Sequence, residues 1–156
     1  MRKPKWQEGD CFVIPLKDGT GLLAQILKRE PKAMNSVSCA LFDQRVHPGD
    51  INEPQMSRLF STILTTHDLL NSGRWKVTHS AKISVPVDKF PYEFLREKSF
   101  VGARIIGSGI IEKFANAFCG LYEWDKWADP NYLDKLLISP EVKPRNLRYV
   151  SDSSAG

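Results

Sequence analysis

The chain has 156 residues, 42% hydrophobic and 26% charged, a balance that excludes a largely disordered polypeptide and suits one globular domain. Its formal charge of +4 permits nucleic-acid binding without requiring it, because the cations are scattered and not interleaved with aromatics as in single-strand binders. No stretch approaches the roughly 18 apolar residues of a membrane span. None follows the basic start Met1-Arg2-Lys3-Pro4-Lys5 as a signal peptide requires, so a cytoplasmic protein without a membrane anchor is expected.

Residues 9–27 carry the clearest local signal. The apolar runs Cys11-Phe12-Val13-Ile14-Pro15-Leu16 and Leu22-Leu23-Ala24-Gln25-Ile26-Leu27 flank Lys17-Asp18-Gly19-Thr20-Gly21, which predicts a β-hairpin turning at Asp18-Gly19. Arg29-Glu30-Pro31-Lys32 reads as the next turn. Residues 36–42 alternate Val37, Cys39 and Leu41 with Ser36, Ser38 and Ala40, the period of a half-buried strand. An exposed loop over 47–56, rich in proline and turn formers, precedes a strand over 59–65.

Residues 66–73 predict one helical turn, with Thr66 capping it, Asp68 at its positive end and Gly73 closing it in a left-handed conformation. Residues 74–79 return to the sheet, and 85–92, with Pro86 and Pro91, cross in extended form. A short strand at 103–106 leads into the best helix. There Ile110, Ile111, Phe114, Phe118 and Leu121 form an apolar stripe opposite Glu112, Lys113 and Asn116, with Ser108 as cap and Gly120 as stop. A second helix is expected from Asp129, with Pro130 in its first turn, Leu133, Leu136 and Leu137 inward, and Ser139-Pro140 ending it. Strands first and helices last predict an α+β fold. It is a mainly antiparallel twisted sheet or partly open β-barrel in the N-terminal two thirds, with two C-terminal helices packed on it. The domain is expected over 1–150, with 151–156 a flexible tail.

Few residues point to chemistry. Gly19-Thr20-Gly21-Leu22-Leu23-Ala24 matches a dinucleotide fingerprint, but the run after it is too short for the crossover helix that would meet a pyrophosphate. Gly107-Ser108-Gly109 lacks the glycines two residues either side of the serine that a nucleophile elbow needs. Cys11, Cys39 and Cys119 are odd in number and far apart, which argues against a disulfide framework and a zinc site, so free buried thiols are expected. His47, His67 and His79 form no i, i+4 pair, and His47 shares a loop with Asp50 without a third ligand, so neither metal nor cofactor is expected. A Cys11 or Cys39 pairing with a histidine stays open, since such pairs meet in space. Residues 121–129 interleave Tyr122, Trp124 and Trp127 with Glu123, Asp125 and Asp129. They read either as a clamp for the helix pair or as a partner-binding loop, because aromatic anchors ringed by charge are what interfaces use.

Three blocks, in order along nearly the whole chain, resemble the immunity protein 26 family of bacterial polymorphic toxin and contact-dependent inhibition systems. The first is Gly9-Asp10-Cys11-Phe12-Val13-Ile14-Pro15-Leu16 with Asp18-Gly19. The second is Thr66, Asp68-Leu69-Leu70 and Gly73-Arg74-Trp75. The third runs from Gly120-Leu121 through Trp124 to Ala128-Asp129-Pro130-Asn131-Tyr132, with Leu136-Leu137 after it. The resemblance implies a small cytoplasmic protein, not an enzyme, that binds a cognate toxin C-terminal domain and neutralises it, with the toxin varying among members.

Steric occlusion by a monomer or weak dimer is the expected mode, through Trp124, Asp125, Trp127, His47, Asp50 and Glu53. Inhibitors that plug a nuclease cleft present acid, whereas this chain is net basic. Either Asp43, Asp50 and Glu53 concentrate an acidic patch or the toxin is blocked elsewhere. Two other readings of the residues stand beside this one: a small β-barrel nucleic-acid-binding module, and a Cys/His-dependent enzyme.

Overall fold

The computed structural model describes residues 5–154; the basic arm up to Pro4 and tail residues 155–156 lie outside them. The predicted hairpin pairs β1 (Asp10–Pro15) with β2 (Gly21–Glu30). Its turn closes through Leu16 N donating to Thr20 O at 2.9 Å, while Asp18 Oδ1 accepts from Thr20 N and Oγ1 at 3.0 and 2.6 Å. Gly19 takes a φ of +87°, which glycine reaches without a side-chain clash. β3 (Ser36–Val46) and β4 (Leu59–Thr65) continue the antiparallel meander. β5 (Lys76–Ser80) is added antiparallel to β1, and β6 (Ile105–Ile106) parallel to β4. The result is one open six-stranded sheet in the order β5-β1-β2-β3-β4-β6, mostly antiparallel, as the sequence predicts in its mixed α+β form.

Two strands run longer than expected. β2 continues through Glu30, whose carboxylate accepts from the buried Ser38 hydroxyl, and the turn moves to 31–35 with Met34 and Asn35 at φ of 54° and 57°. β3 is buried continuously from Ser36 to Phe42 rather than half-buried. The reason is that both faces of the sheet are covered. Phe12, Ile14, Leu22, Ile26, Cys39 and Leu41 pack under α2 (Ser108–Phe118) and the coil after it. Cys11, Leu23, Leu27, Ala40 and Phe42 pack on the other side beneath Val85, Ile83 and Phe90. That second cover is irregular chain with a single 3-10 turn at Val87–Lys89 and a two-turn 3-10 segment at Glu93–Lys98. Gln25, buried within the sheet, ties it down by donating from Nε2 to Gly9 O and Ala81 O at 3.1 and 3.0 Å.

The helical side is joined to the sheet by aromatic contacts. Trp75 stacks on Phe12 with ring centres 5.4 Å apart, and Phe60 stacks on Phe118 at 3.7 Å while meeting Phe114 edge-on. Each such fully buried ring contributes about 1.5–3 kcal/mol relative to exposure. Trp75 Nε1 donates to Glu112 Oε2 at 3.1 Å, and Arg74 grips the same carboxylate with two hydrogen bonds. Glu112 therefore fixes α2 to the start of β5.

Four helix expectations need correcting. Thr66 does not cap α1 (Asp68–Ser72), and Ser108 does not cap α2; His67 and Gly107 hold those positions. Instead Thr66 Oγ1 donates to Asp68 Oδ1 and accepts from Ser108 N, while Ser108 Oγ donates to Asp68, so one network serves both helix starts. Asn116 is buried, not on a solvent face, because its Oδ1 accepts from Lys17 N at 2.8 Å and holds the hairpin turn on α2. The second C-terminal helix is absent: residues 133–136 make only a 3-10 turn, Leu133–Leu136. Docking on β4 replaces further helical bonds, since Ile138 N donates to Phe60 O and Ser61 Oγ donates to Leu136 O. The chain ends in a short helix, α3 (Val150–Ser154), whose Val150 N donates to Asp125 Oδ1 at 2.9 Å. Gly73 closes α1 at a φ of +84°, as predicted.

Candidate functional site

The six residues expected to contact a partner fall into two groups, and no hydrogen bond, ion pair or ring contact joins one group to the other. The first is the loop after β3. His47 and Asp50 are exposed and line a groove of about 490 Å³ between this loop and β5, with Val13, Val46 and Val77 as apolar floor and Arg74 and Lys76 as cations. The loop is held by Gln44 Nε2 donating to Glu53 O and by Gln55 N donating to Gln44 Oε1, at 2.9 and 2.8 Å. Glu53 is exposed, and it shares a shallow depression with Arg45 and Arg58. Asp43, Asp50 and Glu53 are thus interspersed with cations and form no single-sign acidic patch.

The second group lies after α2. Trp124 is a core residue, 1% exposed, donating from Nε1 to Asp134 Oδ1 at 2.9 Å and tilted against Phe114. Its ring takes the clamping role, since the neighbouring turn leaves it no face toward solvent. Asp125 is half-buried and spends Oδ1 on α3. Trp127 alone of the three offers ring surface, in a row with Tyr122 and Tyr132 at 6.4 and 5.1 Å. Around Tyr122 stand Lys17, Lys113 and Lys126.

The thiols show one juxtaposition that spacing alone could not give. Cys11 is the cross-strand partner of His79, and His79 Nε2 lies 3.4 Å from Glu53 Oε1. No hydrogen bond joins the thiol to the imidazole, Nε2 makes none to Glu53, and Cys11 is fully buried. Burial first, then the Glu53 and Asp10 carboxylates, push the Cys11 thiol up to about 12. Burial also raises Cys39 and Cys119. Such thiols are protonated at neutral pH, the reverse of an activated nucleophile. Among the described residues no cluster of His, Cys, Asp and Glu is placed to hold a metal ion, and no helix is long and apolar enough to cross a membrane.

A surface that the sequence did not announce is built around Arg96. Its Nη1 and Nη2 donate to the two oxygens of buried Glu30 at 2.9 and 2.7 Å, and its Nε donates to Glu93. The hydrogen bonds it donates to Glu30 first, then to Glu93, hold the guanidinium above its usual range. This ion pair locks the 93–98 turn against the end of β2. The same region carries Tyr92, Ser99 and Phe100 at φ between 53° and 61°, left-handed values that cost non-glycine residues energy and cluster at functional segments. Phe100 packs on Ala33 and Leu64, joining this segment to the 31–35 turn. On these two segments Met34, Phe94 and Val101 are 87%, 81% and 75% exposed. Only the residue types Glu30 and Arg96 could have hinted at the clamp, and they are 66 positions apart. Set against protein-family models, curated proteins and solved structures, the chain matches none.

Proposed function

We propose that the protein is a non-enzymatic immunity protein that binds a bacterial toxin domain and occludes it. The observation that carries this reading is the exposure of three large apolar side chains, Met34, Phe94 and Val101, on two segments that Phe100 joins and the Arg96–Glu30 pair pins to the sheet. A side chain as large as Phe94 held outward on an ordered turn is the anchor type that dominates protein interfaces.

The resemblance to the immunity protein 26 family supports the same reading through placement. Its three blocks supply scaffold: the β1–β2 hairpin, Trp75 on Phe12, and Trp124 bonded to Asp134. The segments 31–35 and 92–103 lie outside all three blocks. Preorganised backbone lowers the ordering penalty on association, which favours tight complexes.

The test is co-expression with the toxin domain encoded beside the gene. Wild type should restore growth and copurify with the toxin. Phe94→Asp combined with Val101→Asp should lose both without losing the fold. Growth rescued with no complex formed sinks the reading.

A further inference from the structure

Cations from three separate parts of the chain gather on one ring. Lys17 stands on the β1–β2 turn, Lys113 on α2, and Lys126 on the loop that follows. Their ammonium nitrogens lie 4.8, 6.0 and 5.7 Å from the Tyr122 ring centre, and Lys113 Nζ is also 5.9 Å from that of Trp127. Sharing one centre, they are at most about 12 Å apart, so three like charges concentrate positive potential on one small face. Other cations nearby are matched: Arg45 with Asp18, Arg148 with Glu123, and Lys135 with Asp129. None of the three lysines forms an ion pair with a carboxylate among the described residues. Exposed cation–π contacts are weak and hold the ammonium groups at the rings without neutralising their charge. The enclosed Trp127 indole N–H, which has no acceptor, adds a further positive pole to the same ring group.

We propose that Lys17, Lys113 and Lys126, gathered on Tyr122 and Trp127, bind a carboxylate-rich segment of a protein partner. The ammonium groups donate to the incoming carboxylates as point charges on flexible stems, without the fixed fork an arginine brings. The rings decide against single-stranded nucleic acid. Tyr122 is already covered by ammonium groups, and Trp127 is flanked by Tyr122 and Tyr132, so the group is no open platform on which bases stack. This inference goes beyond toxin neutralisation. It holds whichever polypeptide supplies the acid, and it uses residues apart from Phe94, so either reading can fail alone.

The full chain is titrated with an octaglutamate peptide and, separately, with an oligothymidylate of similar charge, following the Trp127 indole resonance by NMR. The peptide should shift that resonance and bind more tightly than the oligonucleotide. Lys113→Gln with Lys126→Gln should weaken peptide binding roughly tenfold and leave the fold intact by circular dichroism, because both side chains are exposed. Equal or tighter oligonucleotide binding, no shift at Trp127, or unchanged peptide affinity in the folded variant each overturns the proposal.

Discussion

Replacing Arg96 by methionine strands a carboxylate inside the protein. Glu30 has a side chain 1% exposed and takes three hydrogen bonds, two from Arg96 and one from Ser38 Oγ at 2.9 Å. Removing one member of a buried ion pair costs about 3–5 kcal/mol, because the other charge stays desolvated. Arg96 itself is 31% exposed, so water can enter behind a shorter side chain, and the lower end, about 3 kcal/mol, is expected. At about 2–4 °C per kcal/mol for a domain of this size, the melting temperature should fall about 6–12 °C.

The decisive comparison is a double-mutant cycle read by urea unfolding. Glu30→Met together with Arg96→Met removes the buried charge pair and leaves unpartnered the Ser38 hydroxyl, about 1 kcal/mol, and the Glu93 carboxylate, which is 21% exposed and loses its arginine equally in Arg96→Met alone. The double variant should therefore be more stable than Arg96→Met alone. A double variant less stable than that single one, or a coupling below about 1 kcal/mol, would show that the methylene packing of Arg96, not the desolvated carboxylate, sets the effect.

Two further outcomes follow from local geometry. A Cβ on Gly21 would stand 1.9 Å from Val13 Cγ1 on the neighbouring strand. Val13 is β-branched and stiff, so Gly21→Ala should cost about 1–3 kcal/mol in urea unfolding, and adding Val13→Ala should recover most of it; an unchanged midpoint would refute the clash. The Thr66 hydroxyl first, and Ser108 after it, hold the Asp68 carboxyl below its usual range against an opposing effect of burial. A depressed carboxylate contributes stability above its unfolded value, about pH 4, and loses it as pH falls through the lower folded value. Asp68→Asn should thus flatten the acid limb of melting temperature against pH, and parallel limbs in the two proteins would count against the assignment.

What the sequence discloses is what neighbours decide. The Asp18-Gly19 hairpin and β4 over Leu59–Thr65 were legible because turn chemistry and β-branching act locally. The α2 stripe was legible for the same reason, except at Asn116, whose burial depends on Lys17 across the fold. β3 looked half-buried because its small residues Ser38 and Ala40 read as polar or neutral; the coil that covers them has no periodicity to betray it. The second helix had good helical spacing, yet hydrogen bonds to Phe60 and Ser61 outcompeted its own. At the candidate site, Trp124 and Trp127 are three residues apart in one aromatic-acidic stretch, and the fold separates them: Asp134 and Phe114 hold Trp124 inside, while Trp127 stands with Tyr122 and Tyr132. The exposed loop carrying His47 and Asp50 was foreseen. The Arg96 clamp and the lysine cluster were not, because each is assembled from segments that only the fold brings together.

The strand order also sets a timetable for synthesis. β1 to β4 pair in the order in which they leave the ribosome, so each new hairpin closes on the last one made. The two flanks are filled much later, when Ser80 reaches Asp10 and Ile106 reaches Thr65. Until then the nascent meander shows a bare row of backbone donors and acceptors on each side, a template for pairing with another unfinished copy. A cell making this protein quickly gains most from a chaperone that shields those rows during that interval.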